Sequence, residues 1–181
     1  MRILVVYESM YGNTRTIAEA VGSGLGADSA VVAVRDATPD QVANADLLVV
    51  GGPTHVRGMS RPTSRKAARD AAGKPGSTLS LEAGADGLGL REWFASLGTV
   101  SCQAAAFDTR VDIPAIFAGR AALRIARLLR RHGAHLIARP RSFLVDKQNR
   151  LLGGEDVRAR TWGEGLAREL QPSSQAGSEQ V

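Results

Sequence analysis

Along this chain, short unbroken apolar runs alternate with longer stretches in which apolar residues recur every three or four positions. The first kind predicts buried strands and the second predicts amphipathic helices. Ile3–Tyr7 is continuous in apolar character, as expected of a central strand covered on both faces. Residues 14–25 follow as a helix, with Ile17, Ala18, Val21 and Leu25 on one side. The cluster Gly22-Ser23-Gly24-Leu25-Gly26 loosely matches a dinucleotide fingerprint, but it follows a helix rather than a strand, so it reads as C-cap and turn. Further strands are predicted at 30–34, 46–51, 103–107 and 135–138, with 142–145 extending the last. Helices are predicted at 39–45, 61–72, 90–97, 119–132 and 154–170. Pro62 falls in the first turn of its helix, where a missing N–H costs little.

This order of elements predicts one α/β domain over residues 1–170: a doubly wound, five-stranded parallel sheet with helices on both faces. Residues 73–89 are rich in Gly, Ser and Ala and are expected to form a mobile loop insertion. Residues 171–181 are polar and aperiodic, and a disordered tail is expected there. In such sheets ligands bind beyond the carboxyl ends of the strands. The loops after the first, third and fourth strands are therefore the candidate site.

The loop after the first strand runs Glu8-Ser9-Met10-Tyr11-Gly12-Asn13-Thr14 and then enters a helix. Ser9 and Thr14 offer hydroxyl donors, Asn13 an amide, and Gly12 a tight main-chain turn. The helix N-terminus adds its dipole and unpaired N–H groups, and together these favour a phosphate dianion. Simple helix capping by Ser or Thr is the competing explanation. The loop lacks the Gly-Lys-Ser/Thr ending of a nucleoside triphosphate site. It also lacks the acidic phosphorylation site of a receiver domain.

With these residues in this order, the sequence resembles the flavodoxin superfamily, in the Tyr-Gly-Asn variant of its FMN-phosphate loop. The resemblance implies a flavodoxin-like fold and an FMN cofactor held by Ser9, Met10, Tyr11, Gly12, Asn13 and Thr14. It also implies ring contacts from Pro53, Thr54, His55, Val56, Arg57 and Gly58 after the third strand, and from Phe107, Asp108, Thr109 and Arg110 after the fourth. His55 stands where similar proteins often stack an aromatic; otherwise it is an exposed turn residue. Arg110 either lies beside the pyrimidine edge of a flavin or pairs with Asp108 or Asp112. Flavodoxins generally place an aromatic, often tyrosine, in the fourth-strand loop. This stretch has no tyrosine, and Pro114 falls near that place.

Composition adjusts this picture in two ways. The formal net charge is +5, and twenty of the 23 basic residues are arginines. Residues 1–100 carry ten basic and ten acidic residues, whereas 101–181 carry thirteen and eight, so all the excess lies in the second half. Arg120, Arg124, Arg127 and Arg131 share one helix face, which is either a solvated surface or a docking site for an acidic redox partner. Flavodoxins are typically acidic, so such a partner would carry the opposite sign from usual. The few aromatics and the absence of a reader motif argue against nucleic acid. Cys102 is the single cysteine, which suits a reducing cytoplasm and reads as a buried small hydrophobe. No apolar run reaches the roughly 20 residues of a membrane span. Trp93 and Phe94 fit a core role by helical spacing.

No acid, base, nucleophile or metal cluster stands out, so no catalytic residue is assigned. The expected function is an FMN-binding redox protein, either an electron carrier or a small oxidoreductase using a quinone-type acceptor. The alternative is a flavodoxin-like interaction or regulatory module that works through the arginine face without flavin chemistry.

Overall fold

The computed structural model describes residues 1–55 and 57–170; Val56 and residues 171–181, with the tail expected there, lie outside the described residues. Its strands are β1 (Ile3–Tyr7), β2 (Ser29–Ala33), β3 (Leu47–His55), β4 (Gly58–Met59), β5 (Gln103–Val111), β6 (His135–Leu136) and β7 (Arg141–Val145). Its helices are α1 (Asn13–Leu25), α2 (Pro39–Ala43), α3 (Pro62–Ala72), α4 (Leu90–Ser96), α5 (Ala115–Ala118), α6 (Ala121–Arg131) and α7 (Glu155–Leu170).

The sheet order is β2-β1-β3-β5-β6, and every pairing along that path is parallel. β6 and β7 both pair with β5, at Gln103–Ala104 and at Phe107–Val111 respectively. They form one interrupted edge strand, as the reading of 142–145 as an extension expects. The order reverses between β1 and β3, which puts the switch point directly above the first loop.

Alternation along the strands divides the core in two. Leu4, Val6, Leu48, Val50, Ala104 and Ala106 face α4 and α6, meeting Trp93, Phe94, Ile125 and Leu129. Ile3, Val5, Leu47, Val49, Ala105 and Phe107 face α1 and α7, meeting Ile17, Val21, Trp162 and Leu166. Trp93 and Phe94 are thus core residues, and Cys102 packs half-buried against the same layer. No helix among the described residues is long and apolar enough to cross a membrane.

Three boundaries differ from the sequence reading, while the end of α1 agrees with it. α1 runs through Gly22 and Gly24 to Leu25, the end expected of it, and the C-cap is Gly26, whose N–H donates to the Gly22 carbonyl. Gly22 and Gly24 are therefore packing residues: a Cβ on Gly24 would overlap the Arg160 carbonyl of α7. β3 runs four residues further than expected, to His55, because it folds back antiparallel onto β4 through Thr54↔Met59 and His55↔Gly58. β5 likewise extends to Val111, held by β3 on one side and β7 on the other. Finally, Gly119 (φ 76°) ends the short α5 and separates it from α6.

Candidate functional site

The loop from Ser9 to Thr14 lies at the end of β1, and each of its side chains is placed by a nameable contact. Gly12 takes φ 92°, a left-handed conformation open to glycine at no steric cost. The turn is closed by its N–H donating to Ser9 Oγ at 3.1 Å and by its carbonyl accepting from Thr16 N at 2.9 Å. Met10 is buried against Ala68 and Ala85, and its carbonyl accepts from Glu82 N at 2.8 Å. Tyr11 donates its hydroxyl to the Ala68 carbonyl at 2.9 Å. The 73–89 segment and α3 thus buttress the loop from outside, with Arg15–Glu82 and Arg69–Asp86 ion pairs adding to the contact.

α1 opens on this turn without a side-chain cap and without an acidic residue in its first turn. Its leading N–H groups have no intrahelical partner. A Cβ on Gly12 would meet nothing within 4 Å, so the space above the turn is open. Thr14 Oγ1 is buried 2.7 Å from Thr109 Oγ1, and Asn13 Nδ2 donates to the Asn149 carbonyl at 2.8 Å. In a hydroxyl pair one O–H is spent on the partner while the other remains free to donate. Donors without acceptors, and no nearby carboxylate cap, suit an anion.

The structure brings the two ring-side segments together. Arg57, exposed with φ 65°, bridges Gly119 in parallel, so the loops following β3 and β5 touch main chain to main chain. Pro53, Thr54 and His55 are half-buried at the end of β3, and Gly58 is buried beneath Arg124. Burial pulls the His55 imidazole below its ordinary value, which keeps it neutral near pH 7.

Other expected contacts are directed elsewhere. The Phe107 ring is fully buried beneath Gly51 and meets Phe143 and Trp162 edge-on. Asp108 is also fully buried: Oδ2 accepts from Ala122 N at 2.8 Å and from Thr54 Oγ1 at 3.0 Å, capping α6 from the neighbouring strand. Arg110 pairs with neither Asp108 nor Asp112. It donates to the carbonyls of Val111 and Ile113, at 3.2 and 2.7 Å. Pro114 starts α5, and the aromatic that this loop presents to solvent is Phe117, 61% exposed beside Ile116.

Glu8 belongs to a network that the motif reading overlooked. Its carboxylate is buried, accepting from Ser60 Oγ and from Leu90 N (2.8 Å). Ser60 also accepts from buried Arg65, which pairs with Glu92 at 3.1 Å. Burial pushes Glu8 above its ordinary carboxylate range, and the Ser60, Leu90 and Arg65 contacts offset part of that. The network ties the end of β1 to β4, α3 and α4. A carboxylate directly after a buried strand is the one sequence signal that demands such partners.

The flavodoxin family model matches residues 5–95, a stretch that contains the Ser9–Thr14 turn and the segment around His55. Among solved structures, a flavodoxin from the domain Archaea shares 22% identity over 94% of this chain and 99% of its own, with a TM-score of 0.63. Flavodoxin 1 from Bacillus cereus shares 15% over 94% of this chain and 97% of its own, at 0.61. Rubredoxin oxygen:oxidoreductase from Desulfovibrio gigas shares 15% over 93% of this chain but only 36% of its own, at 0.57. No curated protein matches the chain. At these identities the structures show a common fold, and the family model spans half of the sequence. The chain belongs to the flavodoxin family.

Proposed function

We propose that this protein binds FMN with its phosphate on the Ser9–Thr14 turn and works as an electron-transfer flavoprotein. The observation that carries the reading is the uncapped start of α1, set beside Ser9, Gly12, Thr14 and Thr109 and open above Gly12. Flavodoxins as a family bind flavin and pass electrons to partner proteins. When bound, the flavin supplies the redox chemistry, and the protein sets its access and potential. Here the residues at hand bind and orient: the turn N–H groups and hydroxyls hold the phosphate, while His55, Arg57 and the exposed Phe117 flank the ring side. With neutral His55 and with Arg110 spent on carbonyls, positive charge on this rim comes from Arg57.

A carrier passing electrons to a protein partner fits the single small domain. A small oxidoreductase acting on quinone-type acceptors is the second form of the same reading, supported by the missing tyrosine and the open loop around Phe117. The single cysteine suits a cytoplasmic setting for either. Titrating the protein with FMN and recording its visible spectrum tests both. Saturable binding at micromolar concentration is expected. Ser9→Ala and Thr14→Ala should each weaken it by roughly 1.5–3 kcal/mol, the range for a hydrogen bond to a charged group. A protein that takes up no flavin would leave the interaction-module reading, which draws on exposed Arg124, Arg127 and Arg131.

A further inference from the structure

The arginine stripe predicted on one helix divides in the folded protein. Arg120 precedes α6 and turns aside, donating to the Pro140 carbonyl at 2.9 Å and to Ser142 Oγ at 3.3 Å. Arg124, Arg127 and Arg131 stay exposed. Arg124 leans over Gly58: a Cβ there would lie 3.3 Å from its Nε. Arg91 of α4 reaches the same segment from the other side, donating from Nε to the Ser60 carbonyl at 2.7 Å and from Nη2 to the Met59 carbonyl at 3.1 Å. Burial, then the proximity of Arg61 and Arg124, lowers its proton affinity, so three cations crowd around one short strand. Among the described residues no carboxylate pairs with Arg57, Arg61, Arg124, Arg127 or Arg131.

Beside this crowd α4 and α6 part to leave a cleft of about 390 Å³, lined by Arg91, Phe94, Ala95, Leu128, Arg131 and His132. Its floor is apolar, and His132 stacks on Phe94 with ring centres 5.8 Å apart. Uncompensated like charges at this density cost energy in the free protein and gain it back against an acidic surface.

We propose that the α4–α6 cleft, rimmed by Arg61, Arg124 and Arg131, docks an acidic partner protein that seats one apolar side chain against Ala95, Leu128 and the ring of His132. The apolar floor favours a protein over nucleic acid, whose backbone offers charge but no aliphatic anchor. The rim is continuous with Arg57 and Gly58, so a partner held there reaches the ring-side loop. That the partner exchanges electrons rests on the redox reading above; the docking itself needs no flavin.

The test uses the flavin-free full chain and a short fluorescein-labelled peptide of glutamates around one central leucine, read by fluorescence anisotropy. Binding should weaken with added salt and with leucine replaced by serine. The double variant Arg124→Glu/Arg131→Glu should lose about tenfold or more in affinity, as expected when charges facing an acidic surface are reversed. The control Arg139→Glu/Arg168→Glu changes net charge equally on the other flank of α6 and on α7, and it should bind as wild type. Equal loss in both double variants would overturn the proposal, since net charge alone would then explain the binding. So would indifference to the leucine, or preferential binding of labelled single-stranded DNA or phosphatidylserine vesicles. A failed FMN titration alongside normal peptide binding would remove the redox reading and keep the docking site.

Discussion

Glu8 shows how much one buried side chain commits. Its folded-state pKa is raised from 4.5, so between 4.5 and the raised value the folded protein holds a proton that the unfolded chain has released. Stability from this group is therefore full below 4.5 and falls as pH rises through the folded value. Glu8→Gln keeps an acceptor for Leu90 N and lets its amide donate to Ser60, while removing the charge. Urea denaturation across a pH series should show the wild type losing stability relative to the variant as pH rises from 4.5. Parallel curves would mean that Glu8 is not strained by burial. His55 acts in the opposite sense: its lowered pKa makes acid destabilising, because the unfolded imidazole takes up a proton that the folded one resists.

At the scale of elements, the pairing of α1 with α7 is the tightest helix contact, and it depends on glycine. Gly24 meets the Arg160 carbonyl, and Gly163 meets the Val21 carbonyl, closely enough that neither accepts a Cβ. Two terms oppose each other in Gly24→Ala. Helix propensity favours alanine by about 1 kcal/mol. Overlap with main chain, which cannot swing away as a side chain can, costs roughly 1–3 kcal/mol or more. Packing should win, and Tm should drop. Gly165→Ala, in the same helix pair but with its nearest atom 3.9 Å away on flexible Arg168, should be neutral or stabilising. If both substitutions behave alike in thermal melts, the close helix contact does not exist in solution. The Gly22–Gly26 cluster holds both uses of glycine: Gly26 caps α1 at the expected end, whereas Gly22 and Gly24 are packing residues, and only the neighbour decides which.

For the molecule as a whole, ligand and fold are linked. FMN at about a hundred times its Kd should stabilise the native state by about 2.7 kcal/mol, visible as a raised Tm. Thr14→Ala should lower the flavin-free Tm, because it leaves the buried Thr109 hydroxyl without its partner, and it should also shrink the FMN-induced shift at the same FMN concentration. A Tm that FMN does not move would count against the assigned cradle. The charge belongs to this scale too. Of the arginines in the second half, Arg124 meets Arg61 and Arg91 of the first half only in space.

What the sequence determined by itself was local or periodic. Continuous apolar strands, amphipathic helices and the Ser9–Thr14 turn are each written in neighbouring residues, because backbone sterics and side-chain period act over a few positions. From these the doubly wound order and the candidate phosphate loop both followed. Only the tertiary structure decided how far β3 and β5 run, since strand ends are set by partners such as β4 and β7. It also decided that Phe107 and Asp108 face inward, that Arg110 turns to its own loop, and that Arg120 leaves the stripe. The Glu8–Ser60–Arg65–Glu92 network and the Arg61–Arg91–Arg124 cluster join residues dozens of positions apart. Burial and charge proximity depend on distance in space, and no window along the chain contains that distance.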